Sequence, residues 1–197
     1  MKIKKLISAL VLGSMLVGLS GCNITDFSGE NLLRPPKAVG DEAEIEQLIA
    51  KTADSGYTLK YPKNGKFRSA IIMTDLDGND SNEAVAFFRN SAETSSVHML
   101  VMYSKDNSWE IASDNIFETT DIDSVDFADL TGNGKAEIIV NSTTYTPNVG
   151  KLSCYSYSEG KTNEVGSGQS CSSFVTGDFD NDGTSEIMSF VLYTTEN

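Results

Sequence analysis

One histidine (His98), one tryptophan (Trp109) and three cysteines (Cys22, Cys154, Cys171) are all the chain offers of these residues in 197 positions. That leaves little material for histidine-based catalysis or a Cys/His zinc cluster. Basic residues are also scarce: 15 Lys and Arg stand against 28 Asp and Glu, a formal net charge of −13. A duplex nucleic-acid binder needs a basic footprint to displace counterions, so this balance argues against nucleic acid as a partner. There is no Gly-x-Ser-x-Gly elbow, no His-Glu-x-x-His pair and no phosphate-cradling glycine loop. With 39% hydrophobic and 22% charged residues the composition is that of a folded chain, and the length suits one main domain with short appendages.

The first residues read as an address. Lys2, Lys4 and Lys5 precede an uncharged, mostly apolar run from Leu6 to Leu19. At about 1.5 Å per residue this run falls short of a bilayer core of about 30 Å, and its pattern is that of a secretory signal. Leu19-Ser20-Gly21-Cys22 resembles the bacterial lipobox. The resemblance implies a lipoprotein signal peptide over 1–21, cleavage before Cys22 and lipidation of its thiol. The protein is then expected outside the cytoplasm, held to the bacterial cell membrane by lipid. An ordinary secretory signal that happens to contain a cysteine is the alternative. Removing 1–21 takes away three lysines and no acid, moving the net charge from −13 to −16. For an exported chain, Cys154 and Cys171 sit where a disulfide survives. Simple hairpin register sets Cys154 opposite a residue near 165, so a disulfide and two buried free thiols both stay open.

Residues 22–40 form a polar tether containing Pro35-Pro36. Asp41 is expected to cap a helix over about 42–53, with Ile45, Leu48, Ile49 and Thr52 as a narrow apolar stripe packing on one edge of the main domain. Residues 57–61 alternate as a strand stopped by Pro62.

The remainder is a repeat. Three segments superpose without gaps, each a strand, a nine-residue turn opening on Asp and closing on Glu, and a second strand. The turns are Asp75–Glu83, Asp129–Glu137 and Asp178–Glu186. Asp75 and Asp129 lie 54 residues apart, and so do the hairpin signals at Tyr103-Ser104-Lys105-Asp106-Asn107 and Tyr157-Ser158-Glu159-Gly160-Lys161. Two independent landmarks at one spacing argue for a duplicated unit, and periods near 50 belong to β arrays. The first unit is expected as strands 69–75, 83–89, 97–104 and 108–113, the second as 124–129, 137–143, 150–157 and 162–169. The third has only 173–178 and 186–193.

The loops over residues 62–197 resemble the FG-GAP/VCBS repeats of integrin-α-type β-propellers. The implied fold is all-β: a partial β-propeller of four-stranded antiparallel blades, about two and a half of them, with a short N-terminal helix. The implied cofactor is Ca²⁺. The chemistry of the loops suits such an ion, since calcium takes six to eight hard oxygens in flexible geometry. The third loop offers Asp178, Asp180, Asp182, the main chain at Thr184, and Glu186. The first offers Asp75, Asp77, Asn79, Ser81 and Glu83, with Asp80 where the pattern has glycine. The second offers only two acids, Asp129 and Glu137, with Thr131, Asn133 and Lys135 between them. It is either a weak site or a loop held by hydrogen bonds alone.

No catalytic set accompanies these loops. His98 has no evident partner in sequence and reads as structural, Trp109 as packing between sheets, and Tyr103, Tyr155 and Tyr157 as either core or a sugar- or peptide-binding face. The expected function is a non-enzymatic binding, adhesion or scaffold module with a protein or glycan ligand, open sheet edges favouring self-association. The alternative is a truncated envelope hydrolase or lyase whose catalytic part lies beyond this chain. Cys22→Ala is expected to block processing and to release the protein from the membrane fraction; unchanged fractionation contradicts the lipid anchor.

Overall fold

The computed structural model describes residues 40–54, 56–146 and 148–192. The signal peptide, Cys22, the tether up to residue 39 and the expected strand end at 193 lie outside the described residues. Helix α1 (Asp41–Ala53) buries Ile45, Ile49 and Ala53, one side chain per turn. Its start differs from expectation. Gly40 holds the N-cap with φ 64°, its carbonyl accepting from the N–H groups of Ala43 and Glu44 at 3.1 and 3.3 Å. Asp41 is already helical and caps nothing with its side chain. The acids Asp41, Glu42 and Glu44 still complement the positive end of the helix dipole.

The rest is antiparallel sheet. The first sheet comprises β1 (Tyr57–Leu59), β2 (Ile71–Thr74), β3 (Glu83–Asn90), β4 (Val97–Lys105) and β5 (Ser108–Phe117). β2 and β1 share one edge of β3, β2 from Thr74↔Glu83 to Ile71↔Ala86 and β1 from Leu59↔Phe88 to Tyr57↔Asn90. The second sheet runs in chain order through β6 (Ile122–Ala128), β7 (Glu137–Thr143), β8 (Gly150–Ser158) and β9 (Lys161–Cys171). The third is the hairpin β10 (Ser173–Gly177) and β11 (Glu186–Phe190). The two turns that share a spacing also share a conformation. Asp106 and Asn107 have φ 52° and 62°, Glu159 and Gly160 φ 51° and 71°, the left-handed pairs that two-residue hairpins prefer.

These units stack face to face. Val85, Phe87, Val97, Met99 and Val101 of the first sheet meet Val125, Ile138, Val140, Tyr155 and Tyr157 of the second in one core. The other face of the first sheet, with Ala84, Ala86, Phe88, Leu100, Met102 and Trp109, is covered by Ile45, Ile49 and Ala53 of α1. The helix therefore seals a sheet face rather than an edge, and Trp109 packs under it. The other face of the second sheet packs Ile139 and Cys171 against Phe174 and Ile187 of the hairpin. Being covered on both faces explains why β3 and β4 read as near-continuous apolar runs instead of alternating. Cys154 and Cys171 are free thiols, and burial raises both above the ordinary cysteine value. Cys154 lies opposite Gly166, and Cys171 opposite Gly150, four positions along β8.

Behind Pro62 the chain is pinned to the second sheet. Lys60 Nζ lies 2.6 Å and Lys63 Nζ 3.2 Å from the Asp121 carboxylate. Desolvation alone would raise that carboxyl, but the two ammonium groups outweigh it and hold it below its ordinary value. A depressed carboxyl contributes stability above its unfolded pKa of about 3.9 and loses it as pH falls through the folded value. Asp121→Asn is expected to lower the melting temperature at pH 7 and to shrink the further loss on acidification below pH 4; equal melting curves at pH 7 contradict a role for the pair.

Candidate functional site

The three acidic turns lie at one end of the strands and share one hydrogen-bond pattern. The first-position aspartate accepts from the N–H groups at positions five and six. These are Asn79 and Asp80 for Asp75, Asn133 and Gly134 for Asp129, and Asp182 and Gly183 for Asp178, at 2.7–3.2 Å. The fifth-position side chain accepts from the seventh-position N–H of Ser81, Lys135 or Thr184. The closing glutamate accepts from the second-position N–H: Glu83 from Leu76, Glu137 from Leu130 and Glu186 from Phe179, each at 2.8 Å. Positions four and six have positive φ in every loop, at Gly78 and Asp80, Gly132 and Gly134, and Asn181 and Gly183. Asp80, the departure from pattern, therefore adopts the left-handed conformation at φ 65° that glycine holds in its counterparts.

The loops differ in what they gather. Asp178, Asp180, Asp182 and Glu186 each bring a carboxylate oxygen within 4.8 Å of the others, and so do Asp75, Asp77 and Glu83. Among the described residues the second loop brings no such acidic group together, Thr131 standing where the other loops carry Asp77 and Asp180. Solvent access differs too. The third cluster is mostly exposed, whereas Glu83 is only 3% exposed and Asp77 Oδ1 is buried with no hydrogen-bond partner. Burial, followed by the neighbouring Asp77 and Asp75 charges, pushes the Glu83 carboxyl above its ordinary value despite the Leu76 N–H. Asp75 goes the other way. Desolvation would raise it, but the N–H groups of Asp80, Gly78, Asn79 and Asp77 together hold it low. Each loop thus keeps its shape through backbone donors, while in the first and third loops carboxylate oxygens also crowd together.

Successive loops interlock. The Ala136 N–H donates to the Leu76 carbonyl at 3.0 Å, and the Ser185 N–H to the Asp129 carbonyl at 2.9 Å. A Cβ on Gly78 would stand 2.8 Å from the Gly134 carbonyl oxygen, and one on Gly132 2.9 Å from Thr184 Oγ1. The fourth-position glycines are where the following loop approaches.

At the other end of the strands, a polar cleft of about 460 Å³ opens among Lys63, Asn64, Asp123, Asn141, Thr143 and Ser172. Elsewhere, sequence reasoning missed the partners of a buried histidine, two acids that themselves remain partly open to solvent. His98, 5% exposed and stacked on Phe88, sets Nδ1 2.9 Å from Asp114 and Nε2 3.2 Å from Glu93. The Ser96 hydroxyl bonds Glu93 instead of the imidazole, so the group is a bridge between β4, β5 and the turn before them. The register could have exposed it but for a shift between Val101 and Met102, which moves Asp114 onto the histidine's face. Tyr155 and Tyr157 form no binding face; they are 7% and 4% exposed in the core between the sheets, and burial pushes their hydroxyls up to about 12.

No protein-family model, no curated protein and no solved structure matches this chain. The interlock generates its own test. Asn181 has φ 61° at the fourth position of the third loop, so the turn itself accommodates asparagine. Gly78→Asn is therefore expected to cost about 1–3 kcal/mol in urea unfolding through the clash with the next loop, while Asn181→Gly changes stability little. Equal small effects contradict the interlock.

Proposed function

We propose that this protein is an envelope lipoprotein of the FG-GAP/VCBS type, a non-enzymatic binding or scaffold module whose acidic loops hold calcium and stiffen stacked propeller-like blades. The observation that carries the reading is the first loop. Asp77 Oδ1 is sealed from water without a hydrogen-bond partner, and Asp77 brings a carboxylate oxygen within 4.8 Å of oxygens of Asp75 and the nearly buried Glu83. Buried carboxylates gathered without a cation are unfavourable, and a divalent ion with oxygen preference offsets that cost. Asp75, Asp77, Asn79, the Ser81 carbonyl and Glu83 would hold it there; Asp178, Asp180, Asp182, the Thr184 carbonyl and Glu186 would do so in the third loop. The ion supplies charge neutralisation, not chemistry. The chain's own contribution is the backbone cage that keeps each loop ready for it.

Three further points support the reading: one loop conformation at three places, the 54-residue spacing of two landmarks, and sheets stacked face to face. The lipid anchor through Cys22 places the module on the outer side of the cell membrane. The polar cleft away from the loops suits a protein or glycan ligand better than the loops do, because hydroxyls and amides line it.

Thermal melts in EDTA and in millimolar Ca²⁺ test the ion. Calcium is expected to raise the melting temperature, and Asp180→Asn with Asp182→Asn to reduce that rise. Glu83→Gln removes a buried charge but keeps an acceptor for the Leu76 N–H. It is expected to stabilise the protein in EDTA and to weaken its response to calcium. Affinity is expected to fall on acidification, starting at a higher pH than for an ordinary carboxylate, as the raised Glu83 carboxyl takes up a proton instead. Identical melts with and without calcium sink the proposal.

A further inference from the structure

The second loop gathers no acidic cluster among the described residues, yet its own frame is complete. Asp129 accepts from the N–H groups of Thr131, Asn133 and Gly134, and Glu137, only 2% exposed, accepts from that of Leu130. The loop is held shut without an ion. That rigidity has a use, because this loop bonds through its main chain to both of the loops that do gather acids.

Towards the third loop, the Ser185 N–H donates to the Asp129 carbonyl. That N–H belongs to the same peptide unit as the Thr184 carbonyl, one of the oxygens assigned to the third ion. A peptide unit is planar, so holding its N–H fixes the direction of its carbonyl. The second loop therefore aims a ligand of the third. Towards the first loop, the Ala136 N–H donates to the Leu76 carbonyl. The same peptide unit carries the Asp77 N–H, one of the donors to the Asp75 carboxylate. Asp75 and Asp77 are both assigned to the first ion. Neither junction has room for a methyl group at its glycine, Gly78 against the Gly134 carbonyl and Gly132 against Thr184 Oγ1. A shift in one loop is passed to the next instead of being absorbed.

Building on the calcium reading of the first and third loops, and dependent on it, we propose that the second loop is an ion-free coupler: calcium in either neighbour raises the affinity of the other. Two effects give the coupling its positive sign. A carbonyl that holds a cation polarises its peptide unit and makes the N–H a better donor, which tightens the Ser185–Asp129 bond. Ordering the second loop is also a cost that the first ion bound meets for both sites. Repulsion between the two bound charges opposes this, and salt screens it with a Debye length of about 8 Å at physiological ionic strength. By linkage the two loops act on each other equally. Asp129 and Glu137 are then positioning residues, which accounts for a loop that carries the framing acids without the cluster.

Calcium titration of the full chain, followed through the amide resonances of Gly78 and Gly183, reads the first and third loops separately. Asp180→Asn with Asp182→Asn is expected to lower the affinity seen at Gly78 at least about fivefold. In an Asp129→Ala background the same pair of changes is expected to leave Gly78 unmoved at equal salt. Amide exchange gives a measurement that needs no change in the second loop. In the Asp180→Asn, Asp182→Asn protein, calcium filling the first loop is expected to slow exchange of the Ser185 N–H, two junctions away. A first-loop affinity indifferent to the third-loop acids overturns the coupling and leaves the calcium reading standing. A fivefold loss that persists with Asp129→Ala assigns the effect to long-range charge and overturns the coupling equally. Gly78 and Gly183 resonances that calcium does not shift sink the calcium reading, and the coupling with it.

Discussion

Strands that are apolar on both faces cannot sit at the surface of a sheet stack; each face must lie against another layer. β3, β4 and β7 impose that condition here, with Phe87, Phe88, Met99, Leu100, Ile138 and Ile139 all fully buried. The order helix, first sheet, second sheet, hairpin follows from it. Each large side chain so covered contributes about 1.5–3 kcal/mol relative to exposure, far more than the exposed ion pairs of this acidic chain. The acidic loops lie at the strand ends, and their relative positions are set by how the sheets pack.

Within each loop the backbone does most of the shaping. A single aspartate gathers two N–H groups of a turn that would otherwise leave them to water, and a glutamate returns from the next strand to close the ring. This works equally in the second loop, which has two acids, and in the third, which has four. Loop geometry and carboxylate count are thus separable. The first depends on positions one, five and nine, while the acids gathered beyond that frame lie at position three in the first loop and at positions three and five in the third.

Much of this arrangement was legible in the residues. The helix, the strands joined by hairpins and all three loops follow from apolar period, turn residues and spacing, because each is a local signal, whereas the pairing of β1 with β3, some thirty residues on, is not. Strand ends were less legible: β5 and β9 run to Phe117 and Cys171, past the point where alternation fades, because pairing with β4 and β8 continues there. Asp41 misled because a negatively charged residue suits both the cap and the first turn, and only the positive φ of Gly40 separates the two. What depended on register across a bulge was hidden. The Cys154–Gly166 pairing lies one residue from the simple count, and the contact of His98 with Asp114 requires the shift at Val101. In the site, the acids were visible as a pattern, but the burial of Glu83 against the exposure of the third cluster was not, since it arises from neighbouring layers.

The glycines at the fourth loop position locate a constraint in an unusual place. Asn181 shows that the turn admits a side chain there, so Gly78 is restricted by Gly134, and Gly132 by Thr184, each some fifty residues downstream. Sequence freedom at that position is therefore a property of the junction between units. A unit copied in tandem would inherit a demand that the isolated unit never faced, and gene duplication in such a chain would be filtered at its seams before its turns.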